Sequence, residues 1–368
     1  MIGMRMPAPS LGILATAQSH LSLCSPLPGG GALEDFDGWM SEYQVDWRHK
    51  HISTQEWGWW GDKQREWILP LVLWEQTLWS GIQTGKRYPL AKYLSANHVK
   101  KHEGVHNLKS SWTHCANLYF PFGQTENGRH LAAEFLKANI SSNVDSVDAI
   151  ELEYAEDGEL HPSVLLGELG GSKGAGQTSP DIGILVNHQR GLVLAENKLV
   201  EHSFYPCSAH WGKYASRPKN PNPRRCDSPL AGLNANTECH QVAWGRKYWE
   251  HLAPVADQDA LAKLRCCPAE RAGYQLMRQQ ALAEGIANSG KYDFVISCVA
   301  MDSRNETLLT CLKSTGIADL HDWGKLFNGK AQFRVWDHQQ WVTWVEEHDG
   351  EGEWGDWLEY VTSRYGYR

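Results

Sequence analysis

Asp181, Glu196 and Lys198 are the residues whose types and spacing can do chemistry together. Carboxylates offer hard oxygen ligands to a cation such as Mg²⁺, which keeps several of its waters when bound. A Mg²⁺ or Mn²⁺ ion between Asp181 and Glu196 would polarise a phosphodiester and lower the pKa of a bound water. An ammonium beside them would orient that water or stabilise charge on the phosphorane oxygens, which is the role expected of Lys198. The competing reading is a strand that ends in a surface Glu–Lys pair. What separates the two is whether the three side chains share a face.

The elements that must position them lie in residues 179–201, SPDIGILVNHQRGLVLAENKLVE. Two short apolar, β-branched runs, Ile182 to Val186 and Leu192 to Ala195, flank a polar turn that ends in Gly191, so the segment reads as a hairpin. Side chains alternate along a strand, so Glu196 and Lys198 share a face with Leu192 and Leu194. A turn centred on His188-Gln189 or Gln189-Arg190 brings Asp181 to that face, whereas a one-residue slip sends it to the other. Gly183 is expected to leave space beside the carboxylates.

The pattern Pro180-Asp181, then Glu196-Asn197-Lys198, resembles the PD-(D/E)xK nuclease superfamily. Within it the chain looks most like restriction-endonuclease-like bacterial proteins. The further motifs are Leu199-Val200-Glu201, cysteines from Cys207 onward, and Tyr274-Gln275-Leu276-Met277-Arg278. Asn197 departs from the hydrophobic residue common between the acid and the lysine. The resemblance implies an α/β fold: a restriction-endonuclease-like core, with a mixed central sheet flanked by helices and helical additions at both ends. It also implies a first-helix acid, Glu134, as a further metal ligand. Gln275 would support the catalytic site, and Arg278 would bind phosphate or pair with an acid.

Composition narrows the class. The net charge of −8 argues against a broadly basic nucleic-acid binder, but not against an enzyme with a local basic groove. No apolar run approaches the ~20 residues of a membrane span. Nine cysteines, with no convincing secretory signal, favour thiols or metal ligands in a reducing cytoplasm. Most of the 18 tryptophans are expected in the core.

Along the chain, residues 1–33 read as a disordered tail and 34–124 as a Trp-rich, mainly helical region, with a helix from Pro70. His98, His102 and His106 would share a helical face, but Gly104 argues against a helix there. Residues 125–305 hold the core, in the order helix (from Thr125), strand (from Val147), the hairpin, helix (270–288) and strand (292–300). The glycine loop 167–178 nearly spells a phosphate-binding loop. Gln177 replaces its lysine, however, and Pro180 stands where a helix would start, so nucleotide binding is rejected. The insertion at about 202–268 carries Cys207, Cys226, Cys239 and Cys267, candidate ligands for Zn²⁺ or an iron–sulfur cluster, although no zinc-finger spacing is present. Lys213, Arg217, Arg224 and Arg225 make it locally basic and, with Arg278, are candidate nucleic-acid contacts. Residues 306–368 read as a C-terminal helical extension.

These observations point to a Mg²⁺-dependent nuclease acting on DNA, an endonuclease of restriction or defence type. A non-cleaving nucleic-acid-binding protein with the same fold, and a metal-cluster scaffold protein, are the rivals.

Overall fold

The computed structural model of the chain describes residues 35–211, 217–234 and 239–367; the expected N-terminal tail and Lys213 lie outside them. A short hairpin, β1 (Gly58–Trp60) and β2 (Lys63–Arg65), stands apart from the main sheet. That sheet has five strands in sequential order: β3 (Val147–Leu152), β4 (Ile182–Val186), β5 (Gly191–Lys198), β6 (Phe294–Met301) and β7 (Gln332–Asp337). β3, β4 and β5 pair antiparallel, while β5, β6 and β7 pair parallel. A parallel pair cannot be closed by a tight turn, so the chain between β5 and β6 must cross over. That connection holds the cysteine-bearing insertion and the helix Tyr274–Ser289, which packs on β5 and β6.

Each sheet face buries its own core. Ile182, Ile184, Val193, Ala195 and Ile296 point to one face. Leu185, Leu192, Leu194, Val295 and Val299 point to the other, where Leu276, Ala283 and Ile286 of the crossover helix meet them. Runs buried on both faces read as continuous apolar sequence, which is why β4, β5 and β6 were legible. The helix Glu126–Asn139 begins at Thr125, whose side chain accepts from the Gly128 N–H at 2.8 Å, and buries Leu131, Phe135 and Leu136.

The terminal regions belong to the first core rather than standing beside it. The helices Phe36–His51 and Gly355–Tyr365 meet there, with Gln44 Nε2 donating to the Arg364 carbonyl at 2.7 Å. Phe122 stacks on Trp354 with ring centroids 3.9 Å apart, and Trp357 Nε1 donates to the Asn117 carbonyl at 2.8 Å. These tryptophans are core residues, as expected, but Trp39, Trp57, Trp59 and Trp60 are exposed. No helix of the described residues is long and apolar enough to cross a membrane.

The N-terminal region is less helical than expected. The stretch after Pro70 forms 3₁₀ turns over Leu71–Thr77, because Leu71 and Val72 face outward and no continuous apolar stripe is available to bury. His98, His102 and His106 lie in loop and turn structure rather than on one helical face. The second outcome agrees with Gly104 arguing against a helix, and the first reflects the scattered apolar positions of this stretch.

Candidate active site

The register of the hairpin decides the site. Ile182 pairs with Ala195 and Val186 with Gly191, which sets Asp181 opposite Glu196. The connecting loop makes this possible with three successive left-handed residues, Asn187, His188 and Gln189, at φ 56, 58 and 60°. Such values are uncommon outside glycine. Asn187 Oδ1 accepts from the N–H groups of Asp145 and Ser146, and Asp148 accepts from the Gln189 N–H, so the loop is tied to the start of β3. Gly183 does not leave an opening: a Cβ there would meet the Tyr154 ring at 2.4 Å, so Tyr154 already fills the space.

Asp181 Oδ2 accepts from the Asn197 N–H at 2.7 Å. Glu196 Oε1 accepts from Lys198 Nζ and from Gln275 Nε2, each at 2.8 Å. Gln275 therefore reaches the hairpin from the crossover helix, where it was expected. Asn197 points to the opposite face, fully buried, and donates through Nδ2 to the Ser111 carbonyl at 2.9 Å. Its side chain bolts the hairpin to the helix Ser111–Tyr119 and takes no part in the carboxylate cluster.

A third carboxylate, Glu153, comes from the end of β3. Its backbone N–H donates to the Asp181 carbonyl at 3.0 Å, and its φ of 52° turns the buried side chain toward the other two. His102 Nε2 lies 3.1 Å from Glu153 Oε1. Burial, Glu196 and Glu153 hold the Asp181 carboxyl well above the usual carboxylate range. Burial raises Glu153 too; His102 opposes the rise and Glu196 adds to it. Burial by itself would lower the Lys198 pKa, but Glu196, Glu201 and Asp181 together more than offset it, so Lys198 stays a cation.

Asp181, Glu196, Glu153, His102 and Gln275 line a cavity of about 170 Å³ under the loop 174–179. Lys198 does not line it and acts on it through Glu196. Arg278 does line it, but its guanidinium is engaged: Nε donates to Thr178 Oγ1 at 2.9 Å, and a terminal nitrogen lies 3.2 Å from Glu168 Oε1. Tyr248 OH also donates to Glu168, at 2.8 Å. The Arg278–Glu168–Thr178 network tethers the glycine loop to the crossover helix, so Arg278 serves as a brace within the site.

Glu134 is not at the site. It is exposed and lies 3.6 Å from His130 on the outward face of its helix, because Leu131 and Phe135 claim the buried face. Glu153 supplies the carboxylate instead. The signal for Glu153 was an acid one residue beyond the expected pairing partner of β4, legible only once the β3–β4 register is known. Of the basic insertion residues, Arg217 lies over the Trp244 ring at 5.8 Å, Arg224 is exposed and Arg225 half-buried. None of the three lines the cavity.

The four cysteines do converge. Cys207, Cys226, Cys239 and Cys267 lie within electrostatic reach of one another, and burial pushes all four thiols up, Cys239 to about 11 and Cys226 to about 12. Backbone N–H groups satisfy the sulfurs, those of Ala209 and His210 at Cys207 and those of Gln241 and Val242 at Cys239. Among the described residues, however, no three His, Cys, Asp or Glu side chains gather closely enough to hold a metal ion by themselves. Zn²⁺ and iron–sulfur clusters need about four protein ligands, and the four cysteines stand here as free thiols, Cys207 and Cys267 buried.

Mg²⁺ is less demanding, since one or two carboxylates and several waters suffice. The donor set here fits it: hard oxygens from Asp181 and Glu196, Glu153 beside them, and mutual repulsion that a cation would relieve. Comparisons with curated proteins and with solved structures find no match. One family model does match, over residues 41–366, nearly the whole chain and all of the site, and its description points to a nuclease. With a mixed sheet, an Asp-Glu-Lys hairpin and that match, the chain belongs to the family described as restriction endonuclease associating with ARP.

Proposed function

We propose that this protein is a Mg²⁺- or Mn²⁺-dependent endonuclease that hydrolyses DNA phosphodiester bonds in a restriction or defence role. The observation that carries the reading is the meeting of Asp181, Glu196 and Glu153 at one cavity, with Lys198 and Gln275 both bonded to Glu196. Asp181 and Glu196 are the residues that would hold the metal, with Glu153 in support. The bound metal would supply Lewis-acid polarisation of the phosphodiester and a more acidic water.

The chain's own residues do the rest. Lys198 remains protonated, so it works as a fixed positive charge and hydrogen-bond donor rather than as a base. Gln275 holds Glu196 in place through Nε2, and its buried Oε1 has no partner, leaving an acceptor for a water proton. His102 Nε2, 3.1 Å from Glu153 Oε1, gives that carboxylate a side-chain partner.

The test is plasmid cleavage with Mg²⁺ or Mn²⁺ by the wild type, Glu196→Ala and Lys198→Ala, with folding matched by thermal denaturation. Cleavage by the wild type that is lost in both variants and on chelation supports the reading. No wild-type cleavage of methylated, unmethylated or single-stranded DNA, or of RNA, would sink it in favour of a binding role.

A further inference from the structure

An open groove of about 490 Å³ runs beside the carboxylate cavity and shares His102, Gly174 and Ala175 with it. Trp60 of the β1–β2 hairpin and Tyr205, from the segment after β5, both line it, and each residue is 45% exposed. Single exposed rings are ordinary on a protein surface, but here two of them line one groove.

Tyr205 is held there by its backbone. Its φ of 58° is a left-handed value that costs a bulky residue on the order of 1 kcal/mol or more. The surrounding chain enforces it: the Tyr205 carbonyl accepts from the Tyr274 N–H at 3.1 Å, and its own N–H donates to Ser203 Oγ at 3.2 Å. Its ring centre lies 5.9 Å from Lys198 Nζ, which links the groove to the residue acting on Glu196.

Two lysines offer the groove cations for phosphate. Lys100 and Lys101 line the groove, Lys101 with its ammonium 4.2 Å from the Trp74 ring centre. Lys109 also lines it but is spent on Asp37 at 2.6 Å. Two acids oppose these lysines: Glu103, and Glu201, which accepts from the Leu199 N–H at 2.8 Å and whose charge also acts on Lys198. In the adjoining cavity Gln177 is only 9% exposed, and neither its Oε1 nor its Nε2 has a hydrogen-bond partner. A buried amide left unpaired in a cavity is costly unless a ligand completes it.

We propose that this groove seats an unpaired stretch of nucleic-acid strand, its bases stacked on Trp60 and Tyr205, its phosphates facing Lys100 and Lys101, and its scissile phosphate led toward the cavity where Gln177 completes its hydrogen bonds. An unpaired strand, rather than a duplex, is the occupant because aromatic side chains reach base faces only where bases are free of their stack. The volume suits a nucleotide or two. This inference rests on the nuclease reading for its cleavage step, but not for binding.

The experiment is fluorescence anisotropy with end-labelled single-stranded DNA, single-stranded RNA and duplex DNA of equal length, in chelator so that nothing is cut. The proteins are wild type, Trp60→Ala, Trp60→Phe and Tyr205→Ala, each checked for wild-type thermal unfolding. Tighter binding of either single strand than of duplex, a loss of roughly tenfold or more in each alanine variant, and retention in Trp60→Phe support the groove. Preference for duplex, or alanine variants that bind single strands like the wild type, overturns it. Groove binding without metal-dependent cleavage would remove the nuclease reading alone, and cleavage with unaffected alanine variants would remove the groove alone.

Discussion

At the scale of residues, the site is a cluster of carboxylates with Lys198 bonded to Glu196 and Arg278 nearby. Asp181 has its pKa raised in the fold, so its contribution to stability is fully present below the ordinary carboxylate value of ~4 and is lost as pH rises through the raised one. Metal-free protein should therefore lose stability as pH climbs above the usual carboxylate range, and Mg²⁺ should restore it most at the upper end. Asp181→Asn, which keeps an acceptor for the Asn197 N–H, should flatten that slope and stabilise the metal-free protein at neutral pH by about 1 kcal/mol while abolishing cleavage. Thermal denaturation against pH in chelator checks this, and an unchanged slope would refute it. Lys198→Ala should lower cleavage by roughly 10²–10³-fold. It should also destabilise the fold by about 3 kcal/mol, because Glu196 is left buried and uncompensated. Combining Lys198→Met with Glu196→Gln should return most of that stability and none of the activity. If the double variant is no more stable than Lys198→Ala, the pair is not what holds this end of the strand.

At the scale of elements, the hairpin is positioned by contacts on both faces. Asn197→Ala removes the bolt to the Ser111–Tyr119 helix, for an expected loss of about 0.5–1.5 kcal/mol in chemical denaturation. Gly183→Ala drives a methyl into the Tyr154 ring and should cost ~1–3 kcal/mol. Gly183→Ala as stable as the wild type would mean that Tyr154 is free to withdraw. The hairpin was readable from two apolar runs flanking a polar turn, but its register stayed open in the sequence and was decided by the left-handed loop over Asn187, His188 and Gln189. Glu153 and His102 were not readable. One depends on a left-handed residue after β3 and the other on a loop that ordinary helix spacing misdescribes.

At the scale of the whole molecule, the terminal helices complete the core over one face of the sheet. Phe36 and Met40 share that core with Trp357, Tyr365 and Tyr367. The described chain should therefore unfold in a single calorimetric transition, and a truncation that removes residues 355–367 should abolish soluble folded protein. Two separated transitions in the intact chain would show instead that its ends are independent of the sheet.

Local chemistry already determined much of this in the sequence. Period-two and continuous apolar runs named the strands, the Thr125 cap and its apolar stripe named a helix, and the Asp181, Glu196 and Lys198 spacing named a site, since each signal lies within a few residues of chain. Tertiary structure alone decided the rest. It brought Glu153 rather than Glu134 to the cavity, turned Arg278 inward to Glu168, drew four distant cysteines toward one another, and set Trp60 and Tyr205 along one groove. The physical reason is the same in each case: these contacts join segments far apart in the chain, and which side chain fills a shared space is settled by packing across the sheet.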